Sequence, residues 1–192
     1  ADFSGNNTGT LFNTPCWTTG GGTVGSALEF NSVGGVPQEV VDDSVGVSGG
    51  SGSNLNMGGS QIAITARVKF SSDVRAESPG QQILDRFTEI SNGFSGYELF
   101  VDYDRIYLAF GDGVNVFEAP TTKSSWNAGQ WYTIVGNYDG ANINLYVDGI
   151  LDSSTNIGNH SIGTNNLNDL WIGTNLYEAG GFYNRNFFGL ID

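Results

Sequence analysis

The 192 residues include a single cysteine, Cys16, and a single histidine, His160. One cysteine forms no disulfide within the chain. One of each excludes a zinc site of ordinary Cys/His composition and leaves one imidazole as base for a Ser or Cys nucleophile. Positive charge is also scarce, with 7 Lys plus Arg against 20 Asp plus Glu and a formal net charge of −13. Such a chain repels nucleic acid and anionic membrane surfaces. It also repels sulfated or uronic polysaccharides unless a bound cation intervenes. The excess acid fits a solvated surface in a saline or extracellular setting, or carboxylates gathered around calcium. No apolar run is long enough to span a bilayer, and no segment keeps a helical period over three turns.

What remains is β-grammar. The length suits one domain. With 39% hydrophobic and 12% aromatic residues the chain has the material for a core. In Trp131–Gly149 (WYTIVGNYDGANINLYVDG) two alternating runs are separated by Asp139-Gly140 and closed by Asp148-Gly149, which predicts an antiparallel meander returning at Ile150. Strands are also expected at Ser26–Phe30, Gln61–Phe70, Gln82–Ile90, Gly96–Asp102, Arg105–Phe110, Val114–Glu118, Leu170–Ile172 and Phe187–Ile191. Many short strands between turn signals indicate an all-β, two-sheet antiparallel sandwich. Val45–Ser60 (VGVSGGSGSNLNMGGS) reads as a long flexible loop within that single domain.

The order of these pieces resembles the laminin-G-like, concanavalin-A-like jelly-roll modules of bacterial and phage surface proteins. Asp2-Phe3-Ser4-Gly5-Asn6 with Gly9-Thr10-Leu11, Gly25–Asn31 (GSALEFN) and Ile64–Lys69 (ITARVK) match early family strands. Trp126–Gly149, Trp171-Ile172-Gly173 and Phe188–Asp192 (FGLID) match late ones. The resemblance implies a jelly roll whose shared residues are structural and whose ligands are read by loops. Family members continue past the GLID motif into one more strand beside an early one. The resemblance therefore implies that residues 1–192 are a fragment of a longer protein, the favoured expectation, or that another chain supplies that strand.

Candidate sites follow from both readings. The β-glucanases of the superfamily carry E-x-D-x-E on one strand, and no such run exists here. Glu98 and Asp102 share a strand face, but about 13 Å apart by rise per residue, too far for a retaining pair; Asp85 and Glu89 have the same spacing. Lyases of this fold need basic clefts, and His160 reads as a plain exposed residue. The resemblance implies a structural calcium near the first and last strands, with Asp192, Asn31 and Asp2 as ligands. Asp42-Asp43 and the Asp102/Asp104/Asp112 group are alternatives. Thr174–Arg185 (TNLYEAGGFYNR) is the expected recognition loop. Its Tyr177, Tyr183, Asn184 and Arg185, with Trp17 and Tyr103 in other loop-like contexts, are the expected ligand-binding residues. Trp126, Trp131 and Trp171 are assigned to the core, and Cys16 to a small buried site.

The expected function is non-catalytic recognition of a carbohydrate or a cell or particle surface, in an extracellular, cell-surface or virion setting. Calcium is the expected ion, and further copies or neighbouring domains are expected partners. A structural or decorating domain of a viral particle or cell-surface assembly is the alternative, and a polysaccharide-degrading glycosidase or lyase the third reading.

Overall fold

A computed structural model describes residues 7–13, 15–19, 21–22, 25–31, 43–49, 54–78, 80–164, 169–175 and 185–192, the side chain of residue 31 excepted. Among them are fourteen strands and no helix. They are β1 (Gly9–Phe12), β2 (Cys16–Thr18), β3 (Ala27–Asn31), β4 (Ser44–Val47), β5 (Ile62–Phe70), β6 (Gln81–Ile90) and β7 (Gly93–Asp102). The second half adds β8 (Arg105–Asp112), β9 (Val116–Pro120), β10 (Trp131–Tyr138), β11 (Asn142–Val147), β12 (Ile150–Asn156), β13 (Leu170–Ile172) and β14 (Phe188–Ile191). They form two seven-stranded antiparallel sheets, ordered β1-β4-β13-β6-β7-β8-β9 and β12-β11-β10-β5-β14-β3-β2. This is the jelly-roll sandwich that the sequence pattern and the resemblance imply.

Alternation decides what enters the core. On β5, Ile62, Ile64, Ala66, Val68 and Phe70 are buried, and on β10 Tyr132, Ile134 and Tyr138 are buried. They meet Leu99, Ile106, Leu108 and Phe110 of the opposite sheet in one cluster. The meander forms as read. Asp148 and Gly149 take φ of 51° and 82°, the positive pair that a tight two-residue hairpin requires. The Asp139 carboxylate caps the preceding turn by accepting from the backbone N–H of Ala141 and Asn142.

Four expectations change. Val45–Ser60 is not loop throughout: β4 is a buried interior strand between β1 and β13. Its low complexity has a steric reason at Gly46, where a Cβ would lie 2.8 Å from the Phe12 ring and 3.0 Å from Trp171. Beyond β4, buried Arg86 donates to the Gly49 carbonyl and to Asn56 Oδ1, and the Tyr97 hydroxyl donates to the Leu55 carbonyl. Trp126 is a core residue, but Trp131 and Trp171 point outward, since Tyr132, Leu170 and Ile172 take the inward positions of their strands. Cys16 is exposed on the edge strand β2. His160 is part of the scaffold: its ring stacks on Phe117 at 3.8 Å, and its Nε2 lies 2.9 Å from the Ile157 carbonyl.

Strand β14 threads between β3 and β5, and Gly189 makes this possible. It has φ of 145°, and a Cβ there would meet the Lys69 carbonyl oxygen at 2.0 Å. Gly149 also has positive φ but nothing within 4 Å of a built Cβ. Urea unfolding should therefore rank two alanine variants. Gly149→Ala is expected to cost about 1 kcal/mol from backbone conformation alone. Gly189→Ala should cost about 3 kcal/mol, because backbone rather than a yielding side chain occupies the space. Equal losses would contradict the steric account.

Candidate functional site

The outward face of the first sheet collects side chains that no packing demand explains. Registers place Asp85 of β6 directly opposite Glu98 of β7. Glu98 lies opposite Ala109 of β8, and Ala109 opposite Glu118 of β9. Trp171 of β13 continues this row on the other side of Asp85. The neighbouring row holds Gln82, Phe100 and Tyr107. Phe100 and Tyr107 stack with centroids 5.1 Å apart and planes at 11°.

Burial sets the electrostatics. Asp85 is 5% exposed and Gln82 0%. Gln82 donates from Nε2 to Glu98 Oε2 at 3.1 Å and to the Leu84 carbonyl at 3.0 Å, while its Oε1 has no partner among the described residues. Desolvation, with a push from Glu98, raises the Asp85 carboxyl well above its ordinary range despite the N–H of Phe87 at 3.0 Å. Desolvation also pushes Glu98 up to about 7, against the lowering effects of Gln82 and Arg185. Burial raises the Tyr107 hydroxyl, and Asp102 and Glu118 add to it. Directly opposed like charges in a dry setting disfavour double ionisation.

The expected recognition loop is rooted on this face. Thr174 Oγ1 donates to Asn186 Oδ1 at 2.9 Å, and the Arg185 N–H donates to Asn175 Oδ1 at 2.9 Å. The Arg185 guanidinium lies 4.6 Å from the Phe100 ring centroid and 3.7 Å from Asp102 Oδ1. Tyr103 follows Asp102 at the β7–β8 turn, 62% exposed and with φ of 53°, a conformation that disfavours bulky residues. Arg185 and Tyr103 therefore converge on the Asp102 end of β7. Trp17 does not: it is 56% exposed on β2, the edge strand of the other sheet. Tyr177, Tyr183 and Asn184 lie outside the described residues.

The expected calcium ligands are less complete. Asp192 pairs along the backbone with Arg67, and its Oδ2 lies 3.8 Å from Arg67 Nη1, so a cation already faces this carboxylate. Asp2, Asp42 and the side chain of Asn31 lie outside the described residues; Asp43 is buried. The Asp102/Asp104/Asp112 group does not form. Asp102 faces Arg185, Asp104 faces Arg105 at 3.8 Å, and Asp112, at the far end of β8, faces His160 at 3.7 Å. Among the described residues no three His, Cys, Asp or Glu side chains are gathered to hold a metal.

Sequence reasoning missed the Asp85–Glu98 pair because it compared acids along a strand and not across two. The signal was present. Counting six residues outward from each side of the Ser91-Asn92 turn brings the two together.

The acid pair has a consequence for stability. An unfolded chain ionises both carboxyls at their ordinary values, whereas the folded chain holds protons longer. The pair's contribution to stability is therefore fully present below the ordinary carboxyl value of 4.5 and is lost as pH rises through about 7. Asp139, held down at about 2 by backbone N–H donors, stays ionised across that window. The melting temperature should fall between pH 5 and pH 8, by about 2–4 °C for each kcal/mol lost. Glu98→Gln should flatten the fall. An unchanged profile in that variant would show that the penalty lies elsewhere.

Comparison with curated proteins finds no match. Several solved structures share the fold. Domain 4 of the extracellular arabinanase AbnA from Geobacillus stearothermophilus, solved with arabinotriose, has a TM-score of 0.63 at 16% identity, over 99% of this chain and 82% of that one. A structure of botulinum neurotoxin type C, whose cell entry depends on two ganglioside molecules, has a TM-score of 0.65 at 13% identity, over 98% of this chain and 44% of that one. The CBM40 of the Ruminococcus gnavus IT-sialidase, bound to α2,3-sialyllactose, has a TM-score of 0.52 at 14% identity, over 69% of this chain and 72% of that one. At these identities the likeness is one of fold. The model of the Concanavalin A-like lectin/glucanases superfamily matches residues 42–192, and the chain belongs to that family.

Proposed function

We propose that this protein is a non-catalytic glycan-recognition module of an extracellular or particle-surface protein, reading its ligand at the β7–β8 corner. The observation that carries this reading is half-buried Tyr107, held by its stack on buried Phe100, with Arg185 on Phe100 and exposed Tyr103 at the adjacent turn. Sugar rings bury their CH faces on aromatic side chains while their hydroxyls bond charged and amide groups. Asp102, Glu118 and Arg185 supply such groups here. The ligands of the arabinanase domain, the toxin and the sialidase module support the same class.

The opposed Asp85 and Glu98 favour a second, hydrolytic reading only in their proximity. Asp85 is buried, and acid/base chemistry on a glycoside requires carboxyls that reach the scissile bond. Reducing-sugar release in the binding assay would restore that reading.

A glycan array that includes arabinotriose and lactose tests the main one. Wild-type protein is expected to bind a defined class, and Tyr107→Ala and Arg185→Ala each to weaken that binding at least tenfold without loss of fold. Folded protein that binds no glycan and runs as a stable oligomer by light scattering would move the assignment to a structural or decorating role.

Calcium enters as a subordinate proposal: an ion at Asp192, Asn31 and Asp2 that orders the first and last strands. Its removal by EDTA should lower the melting temperature, and an unchanged melt of metal-stripped protein would remove calcium from the account.

A further inference from the structure

The glycan reading leaves the charge on the candidate face unexplained. Aromatic stacking and hydroxyl recognition do not require two carboxyls to be buried opposite each other. Around the corner, Arg105 is taken by Asp104 at 3.8 Å and by the Thr121 carbonyl at 2.7 Å. Arg185 is taken by Asp102 and the Phe100 ring. Asp85, Glu98 and Glu118 then form one cross-strand row in which Arg185, shared with Asp102 and Phe100, offsets Asp85 and Glu98 only in part. The row runs from buried Asp85 through half-buried Glu98 to exposed Glu118, and like charges set side by side across strands carry a cost that a counter-charge would offset.

Gln82 supplies the second observation. It is fully buried and directs its amide at Glu98, and the oxygen of that amide finds no donor among the described residues. A buried, unpartnered acceptor beside two carboxyls describes a site short of positive charge and of hydrogen-bond donors. The protein's own Arg185 demonstrates the preference, since it brings a cation against Phe100 and Asp102 on this face. An ammonium group offers three donors and one positive charge, and it is attracted to aromatic faces.

We propose that the ligand read at this corner carries a protonated amino group, a glycan with free amino sugars, and that Glu98 and Glu118 are the residues that prefer it over N-acetylated or carboxylated sugars. The inference rests on the glycan-binding reading and goes beyond it by naming the ligand's charge. A carboxylated sugar would instead face the partly compensated row.

Matched oligosaccharides test it by isothermal titration at pH 7: the glucosamine trimer, the N-acetylglucosamine trimer, lactose and 3′-sialyllactose. Wild-type protein is expected to bind the glucosamine trimer at least tenfold tighter than its N-acetylated counterpart, with the ratio shrinking in 1 M NaCl. Glu98→Gln with Glu118→Gln should reduce that ratio at least fivefold. Glu29→Gln with Glu77→Gln changes the net charge equally at remote positions and should preserve the ratio. Circular dichroism confirms that both variants are folded. If remote neutralisation lowers the preference as much, general attraction to an acidic protein replaces a site. If neutral sugars bind as tightly as the glucosamine trimer, or 3′-sialyllactose binds tighter, this inference falls while the glycan reading stands. If folded protein binds none of these sugars nor any on the array, both fall together.

Discussion

Each strand of the sandwich presents two faces, and only one of them can pack against the opposite sheet. The period-two alternation of β5, β7, β8 and β10 sends Val68, Leu99, Leu108 and Ile134 inward, where hydrophobic burial stabilises the fold. Everything else depends on that division. It moves Trp131 and Trp171 outward from positions that composition alone would assign to a core. It also places Asp85, Glu98 and Glu118 in one row, because residues that pair across neighbouring strands share a face.

The outward face of the first sheet is therefore a product of register and not of local motif. Two carboxyls opposed in a dry environment oppose folding above neutral pH, and their neighbours only partly relieve them: one amide from Gln82, one backbone N–H from Phe87, and Arg185 at a distance. A scaffold optimised for stability alone would fill such positions with Thr or Val. The price in stability sets this face apart from the rest of the sandwich, and the aromatic stack beside it leaves Tyr107 half-buried over buried Phe100.

A similar logic governs the glycines of β4 and of the residues that follow it. Glycine at position 46 admits two aromatic rings over the strand, and glycine at position 49 admits the Arg86 guanidinium, which a Cβ there would meet at 1.7 Å. Low sequence complexity is at these two positions a signature of close approach, and the Arg86 guanidinium anchors both the Gly49 carbonyl and Asn56.

The sequence by itself determined the class of fold, the meander and most of the strands. Asp-Gly turns and alternation are local, and their physical cause acts within a few residues. It also carried the hairpin counts that bring Phe100 to Tyr107 and Asp85 to Glu98, although comparison along single strands overlooked the second pair. The tertiary structure alone decided that Ser44–Val47 is an interior strand, that Arg185 returns from far along the chain to lie on Phe100, and that Trp17 belongs to a different sheet edge from Tyr103. Those outcomes depend on sheet order and on burial, which sum contacts between residues distant in sequence and leave no periodic trace in it.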